Sequence, residues 1–318
     1  MSRLLDLICY CYAANKPLTL LMVFSLVGML VSFTGLAFDH RLIQGVHAWI
    51  KPCKFSVSLF VYGATLLWFT GFIQGNRKLI LFASSGALLG TIVELSAIIM
   101  QAHRGVTSHF NVSTPFDHAV WIAIKVGILP VSLALIIVYA LLLKQKHLPV
   151  ALGLSLRLGA LLTIIGLIPG LMMILPDPMQ DAITNYKQFD GHTVGSPEGG
   201  PGIPWLGWST KSGDLRVAHF LGIHALQVLP FLGFFIDRHC LCLPLQRQTQ
   251  LIWNAALTYL MVVVLLTWQA LRAESFFAPQ FDTLLPALIM IGSSVSWALL
   301  TVAPELKLVV PMALRKRT

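Results

Sequence analysis

Eight apolar runs, each close to 20 residues long, are the feature that most restricts this chain: they lie at about Pro17–Phe38, Phe55–Ile73, Leu79–Gln101, His118–Leu143, Leu156–Leu175, Leu215–Ile236, Leu251–Leu271 and Leu284–Val302. A helix rises about 1.5 Å per residue, so a run of this length matches the hydrocarbon thickness of a bilayer. Inside that layer no water satisfies the peptide groups, and only helices or closed barrels pair all of them internally. The runs show no period-two alternation, which excludes barrel strands and leaves helices. Composition agrees: 56% of the 318 residues are hydrophobic and 11% are charged, against roughly 25% charged in a soluble domain. The fold class expected is an all-α, polytopic integral membrane bundle of eight transmembrane helices, forming a single membrane domain over residues 1–318. A soluble enzyme, a nucleic-acid-binding domain and a disulfide scaffold are excluded.

The basic residues orient the bundle. With an inner N-terminus, the inner segments hold 13 of the 22 Lys and Arg residues and three acids, while the outer segments hold eight basic residues and nine acids. Positive charge collects on the cytoplasmic side of membrane proteins, so both termini are expected inside. The net charge of +9 is then a topological signal and calls for no nucleic-acid partner. The expected partners are the lipid bilayer and a lipid or small-molecule substrate, and the expected location is a bacterial inner (plasma) membrane. The first run is too long for a signal-peptide core, and no small-x-small cleavage site follows it. Pro130, Pro169 and Pro230 fall inside spans and are expected to kink them. No motif is evident that the two halves share, although a four-plus-four arrangement would be parallel.

Five cysteines give no disulfide framework. The pairs Cys9–Cys11 and Cys240–Cys242 fall on the inner side, where two C-x-C pairs suit either a thiolate metal site or plain packing.

Ionisable side chains within spans cost ~2.5–3.5 kcal/mol each on insertion scales and mark candidate sites. Glu94 and Gln101 lie seven residues apart on one face of the third span. Lys125 shares a face of the fourth span with Trp121 and His118, and the sixth span carries Arg216, His219, His224 and Gln227. Counted from the outer ends of their spans, Glu94, Lys125 and His224 reach nearly the same depth, roughly 10–12 Å. The candidate catalytic or conducting set is therefore Glu94, Lys125, His224 and Gln227, expected to face one cavity in the outer half of the membrane. Eight of the ten histidines fall on the outer side or in the outer half. Neutral imidazole ligates zinc, copper and haem iron, so His109, His219 and His224 are the candidate ligands should a metal ion or haem be the cofactor. The residues alone name no cofactor.

The outer connection of residues 176–213 is 38 residues long, rich in Gly, and carries Trp205 and Trp208. Loops of this length without apolar periodicity are commonly functional, and the tryptophans suit a lid docked at the membrane interface. The reading favoured is a membrane-embedded enzyme with a His/Glu site opening toward the outer leaflet; the alternatives are a proton-coupled transporter using the same residues and a b-type haem protein. His-Glu-x-x-His is absent.

Overall fold

The computed structural model describes residues 2–174, 191–241 and 243–315. Helix α1 (Ser2–Ala14) precedes the eight long helices α2 (Lys16–Phe38), α3 (Ile50–Thr70), α4 (Arg77–Arg104), α5 (Pro115–Leu143), α6 (Val150–Met172), α7 (Leu215–His239), α8 (Leu245–Leu271) and α9 (Phe281–Arg315). All eight are long and apolar enough to cross a membrane, as the runs predict. Two short antiparallel strand pairs are also present among the described residues. Strand β1 (Leu42–Ile43) pairs with β2 (Val46–His47), and β3 (Thr193–Val194) pairs with β4 (Gly213–Asp214). Outer and inner faces are named from the charge asymmetry.

Side chains cap the starts of α2, α5 and α7. Asn15 separates α1 from α2: its side chain accepts from Leu18 N, and Pro17 occupies the first turn. Thr114 accepts from Asp117 N at the start of α5, and Asp214 accepts from Arg216 N at the start of α7. Helix α1 was not expected, since its 13 residues are too few to register as a span.

The chain divides into two compact units. Unit 1 comprises Met1–Gln145, Ile174–Gly191 and Ser196–Ser209, and unit 2 comprises Lys146–Met173, His192–Gly195 and Thr210–Thr318. Each therefore holds four of the eight long helices. In unit 1 the buried face of α2 runs Leu18, Leu21, Ser25, Gly28, Ser32, Gly35, a spacing of threes and fours whose small members let neighbouring backbones approach. Gly28 packs against Leu95 of α4 and Ser56 of α3, and Gly90 of α4 lies against the Gly127 carbonyl of α5. In unit 2, Gly166 of α6 meets Gly222 of α7 backbone to backbone; a Cβ on Gly222 would stand 2.5 Å from the Gly166 Cα. Helices α8 and α9 are joined by Thr258 Oγ1 donating to Ser294 Oγ (2.8 Å) and Asn254 Nδ2 donating to Ser294 O (2.9 Å).

The two units share a motif, which corrects the expectation that none is evident. Gln101-Ala102-His103-Arg104-Gly105 closes the third long helix of unit 1, and Gln269-Ala270-Leu271-Arg272-Ala273 closes the third long helix of unit 2, 168 positions later. The starts of these helices, Arg77 and Leu245, are separated by the same 168 positions. Both helices end alike. Gly105 N and Ala273 N each donate to the alanine carbonyl three residues back (3.0 Å in both), and Val106 N and Glu274 N donate to the glutamine carbonyl (3.1 and 3.2 Å). Residues 105 and 273 both turn left-handed, with φ of 75° and 58°. Phe116-Asp117 and Phe281-Asp282 then open the fourth helices, and the arginine of each motif reaches that aspartate. The first outer connection of each unit also carries an Asp-x-Arg fork. In Asp39–Arg41 and in Asp214–Arg216 alike, Nε lies 2.9 Å from Oδ1 and Nη2 lies 2.6 Å from Oδ2. Lipid-facing positions need only be apolar and so diverge freely. The likeness survives at corners, where particular side chains must cap and turn the chain.

Candidate functional site

In unit 1, Glu94 is 3% exposed on α4, and its Oε2 has no hydrogen-bond partner among the described residues. One turn earlier Thr91 Oγ1 is likewise buried without a partner, as is Ser25 Oγ on α2. Polar groups in hydrocarbon surroundings are nearly always paired, so three unpaired oxygens in one four-helix unit are unusual. The cation that acts electrostatically on Glu94 is Lys51, near the outer start of α3.

Lys125 does not pair with Glu94. Their depths do correspond: Gly127, two residues beyond Lys125, packs against Val93 and Gly90 of α4. Their faces differ. The Lys125 ammonium lies 4.8 Å from the Trp121 ring centroid, a cation–π contact. Trp121 in turn packs against His109 (5.0 Å between centroids) and Phe110 (4.9 Å), with Phe55 5.6 Å from His109. His109 thus sits in an aromatic cluster at the outer end of unit 1, with Nδ1 3.1 Å from Ser108 Oγ.

The remaining candidates belong to unit 2. His219 occupies a notch left by Gly170, whose Cβ, if present, would stand 2.7 Å from the imidazole. Its Nδ1 is 2.9 Å from the Gly166 carbonyl, an acceptor only, so Nδ1 carries a proton. His224 Nδ1 is 3.1 Å from Gln227 Oε1, and the Phe220 ring centroid lies 4.4 Å from the imidazole. Gln227 therefore orients His224 as Gly166 orients His219. Glu94, Lys125 and His109 fall in one unit, and His219, His224 and Gln227 in the other. Among the described residues no group of three or more His, Cys, Asp or Glu is arranged to hold a metal ion. Cys9, Cys11, Cys53 and Cys240 are free thiols, and Cys242 lies outside the described residues.

Of the 176–213 connection, residues 176–190 lie outside the described residues. Its later part docks on the outer end of unit 1: Lys54 Nζ donates to Leu206 O (2.9 Å), and Gly199 packs against Gln44 of the β1–β2 turn. A bridge between Gly202 and Ser209 folds this segment on itself.

Two polar networks at the outer ends escaped the sequence reading. Asp117 accepts from Gln101 Nε2 (2.9 Å), Thr114 Oγ1 (2.6 Å) and Arg104, which also stacks on Phe116. Gln101 is thereby a helix-to-helix tie. Asp39 accepts from the Arg41 fork and from Trp49 Nε1 (2.7 Å), while Arg41 Nη2 also donates to His103 O (2.8 Å). The visible signal was the recurring Asp-x-Arg and Gln-Ala-x-Arg pattern. The Arg41 hydrogen bond, helped by Trp49, holds the Asp39 carboxyl well below the ordinary carboxylate value of 3.8. A lowered folded-state pKa gives stability that is complete above pH 3.8 and is lost only as the pH falls through the lower folded value. The indole N–H resonance of Trp49, assigned with Trp49→Phe, should therefore keep its hydrogen-bonded position at pH 3.8 and move only in stronger acid. Movement already at pH 5 would contradict the fork.

No protein-family model matches the chain, and neither a curated protein nor a solved structure matches it.

Proposed function

We propose that this multi-pass membrane protein is a proton-coupled carrier of a small molecule or lipid in a bacterial inner membrane, with Glu94 as the group that takes up and releases the proton. The observation that supports this most is the carboxylate itself, buried and without a hydrogen-bond partner on Oε2. A carboxylate kept only for structure would be paired, because an unpaired charge is costly in a low-dielectric interior. Protonation removes that cost, which gives Glu94 a reason to take up a proton that a paired carboxylate lacks. The two four-helix units with shared corner motifs suit a carrier by analogy, since parallel repeats are a common way to build one.

In liposomes loaded with a pH-sensitive dye, one class among lipids, sugars, amino acids and organic cations should elicit proton movement with the parent protein. Glu94→Gln, which keeps the shape and removes the titration, should fold normally and lose that movement. Full proton movement with Glu94→Gln would refute the reading.

A second reading, a membrane-embedded enzyme, is favoured by His219 and His224. Each has Nδ1 engaged by an oxygen acceptor, which leaves Nε2 to act as a base or as a ligand to a metal or haem iron. Loss of a chemical turnover in His224→Ala, with proton movement retained, would distinguish it from the carrier.

A further inference from the structure

The 13 residues of α1 end at Asn15, whose extended backbone (φ −155°, ψ 96°) separates this helix from α2. At the helical rise α1 is about 20 Å long, well short of the ~30 Å hydrocarbon layer. It is nevertheless apolar along one side. Leu7 is 57% exposed, and Ile8 and Tyr12 are each 43% exposed. At 100° per residue these three fall with Cys11 in one arc of about 140°. Asp6, Cys9, Tyr10 and Ala13 occupy the opposite arc. An apolar face left uncovered in this way is costly in water.

The level at which α1 leaves the bundle points to what covers that face. Asn15 Nδ2 donates to Ser84 Oγ (2.9 Å), so Asn15 stands level with Ser84 of α4. Ser84 lies seven residues past Arg77, the inner start of α4, or about 10 Å at the helical rise. Between the two, Leu79, Leu81 and Phe82 are large apolar side chains exposed on the helix surface, as suits a stretch lying against acyl chains. Helix α3 marks the same level. It runs opposite to α2 with Gly63 against Leu21, so five residues further along α3 bring Trp68 level with Lys16. Lys16 Nζ in turn lies 5.3 Å from the Tyr12 ring centroid. Trp and Tyr collect at the boundary between hydrocarbon and water. Arg77 and Lys78, further inward, are exposed and form no ion pair among the described residues, unlike Arg41 and Arg104 at the outer end of this unit.

We propose that α1 is an interfacial anchor, lying along the inner leaflet with Leu7, Ile8, Cys11 and Tyr12 against acyl chains and Asp6, Cys9 and Tyr10 toward the headgroups. The occupant of its apolar face is phospholipid. A helix of 13 residues cannot cross the bilayer, and a water-borne α1 would carry its apolar face out past Arg77 and Lys78. Lying in the plane avoids both. Interfacial helices bury their apolar faces about 5–10 Å into the headgroup and acyl boundary, which matches the depth of Asn15 below Arg77. The two unpaired cations favour acidic headgroups beside the helix. Asn15 joins the anchor to the rest of unit 1, because it caps α2 through Leu18 N and holds α4 through Ser84. Helix α1 thereby sets the depth of both.

Cys9 and Cys11 lie about 160° apart around α1, so the chain carries its own probes. Spin labels would be placed on Cys9 or on Cys11 in full-length protein whose other cysteines are changed to alanine, in vesicles of phosphatidylethanolamine and phosphatidylglycerol. The Cys11 label should be several-fold more accessible to oxygen, which concentrates among acyl chains, than to a water-soluble nickel complex. The Cys9 label should show the reverse. In the parent chain, without any substitution, a charged maleimide reaching the inner side should modify Cys9 several-fold faster than Cys11. Equal nickel access at both labels, or equal maleimide rates, would put α1 in water and overturn the anchor. A Cys11 label closed to both reagents would mean a protein occupant, and two labels that both favour oxygen would mean a helix sunk in hydrocarbon; either overturns it as well.

Discussion

Gly166→Leu should leave almost no folded protein after extraction in mild detergent, and Gly222→Leu should do the same. The backbones of α6 and α7 touch at these two glycines; even a Cβ on Gly222 would lie 2.5 Å from the Gly166 Cα. Real Cβ atoms do not approach so closely, and the neighbouring atoms belong to the main chain, so no rotamer change relieves the clash. The helices would have to separate along a seam that also includes Gly159 against Pro230 and Gly170 under His219. Overpacking in a core costs about 1–3 kcal/mol where side chains can yield, and here they cannot. The loss should exceed that range, and His219 should be displaced from the Gly166 carbonyl it bonds. Gly292→Leu is the control, because nothing lies within 4 Å of its missing Cβ. Recovery of monodisperse Gly166→Leu protein with the parent melting temperature would show that α6 and α7 do not cross where described.

The second large effect compares the two copies of the Gln-Ala-x-Arg corner. Arg104→Ala removes a cation from Asp117, whose side chain is 2% exposed, whereas Arg272→Ala removes one from Asp282, which is 65% exposed. A buried carboxylate stripped of its partner stays desolvated, while an exposed one is rehydrated. Arg104→Ala should therefore lower the melting temperature several-fold more than Arg272→Ala. Glu274 also relieves the second corner, since it takes over part of the tie by accepting from Gln280 N (2.6 Å) and Thr283 Oγ1 (2.9 Å). Asp117→Asn together with Arg104→Ala should recover part of the lost stability. Equal shifts for the two arginines would mean that burial does not govern these corners.

The sequence made some features of the fold legible and hid others, for separable physical reasons. The spans were readable because a bilayer demands apolar length, and length is visible without knowing any neighbour. Depth was readable for the same reason: Glu94 and Lys125 do lie at closely matching levels, as the packing of Gly127 on Val93 and Gly90 shows. The rotational setting of each helix was not readable. It depends on which face finds a partner, and Lys125 lies over the Trp121 ring, away from Glu94. Seven-residue spacing put Glu94 and Gln101 on one face, yet their environments differ completely. Gln101 is tied to Asp117, while Glu94 Oε2 is left without a partner. The internal likeness was concealed because membrane helices tolerate any apolar exchange. Only the residues that turn the chain, Gln101 with Arg104 and Gln269 with Arg272, preserve it.

Proton carriage by this protein turns on one carboxyl group. Its most direct test is the infrared titration of Glu94 in the full-length protein in lipid, from mildly alkaline to mildly acidic pH, with Glu94→Gln as the assignment. The account predicts a carboxylic C=O band that grows reversibly on acidification and is missing from the Glu94→Gln spectrum. Identical spectra for the two proteins throughout the range would contradict it, because a Glu94 fixed in one protonation state cannot carry a proton.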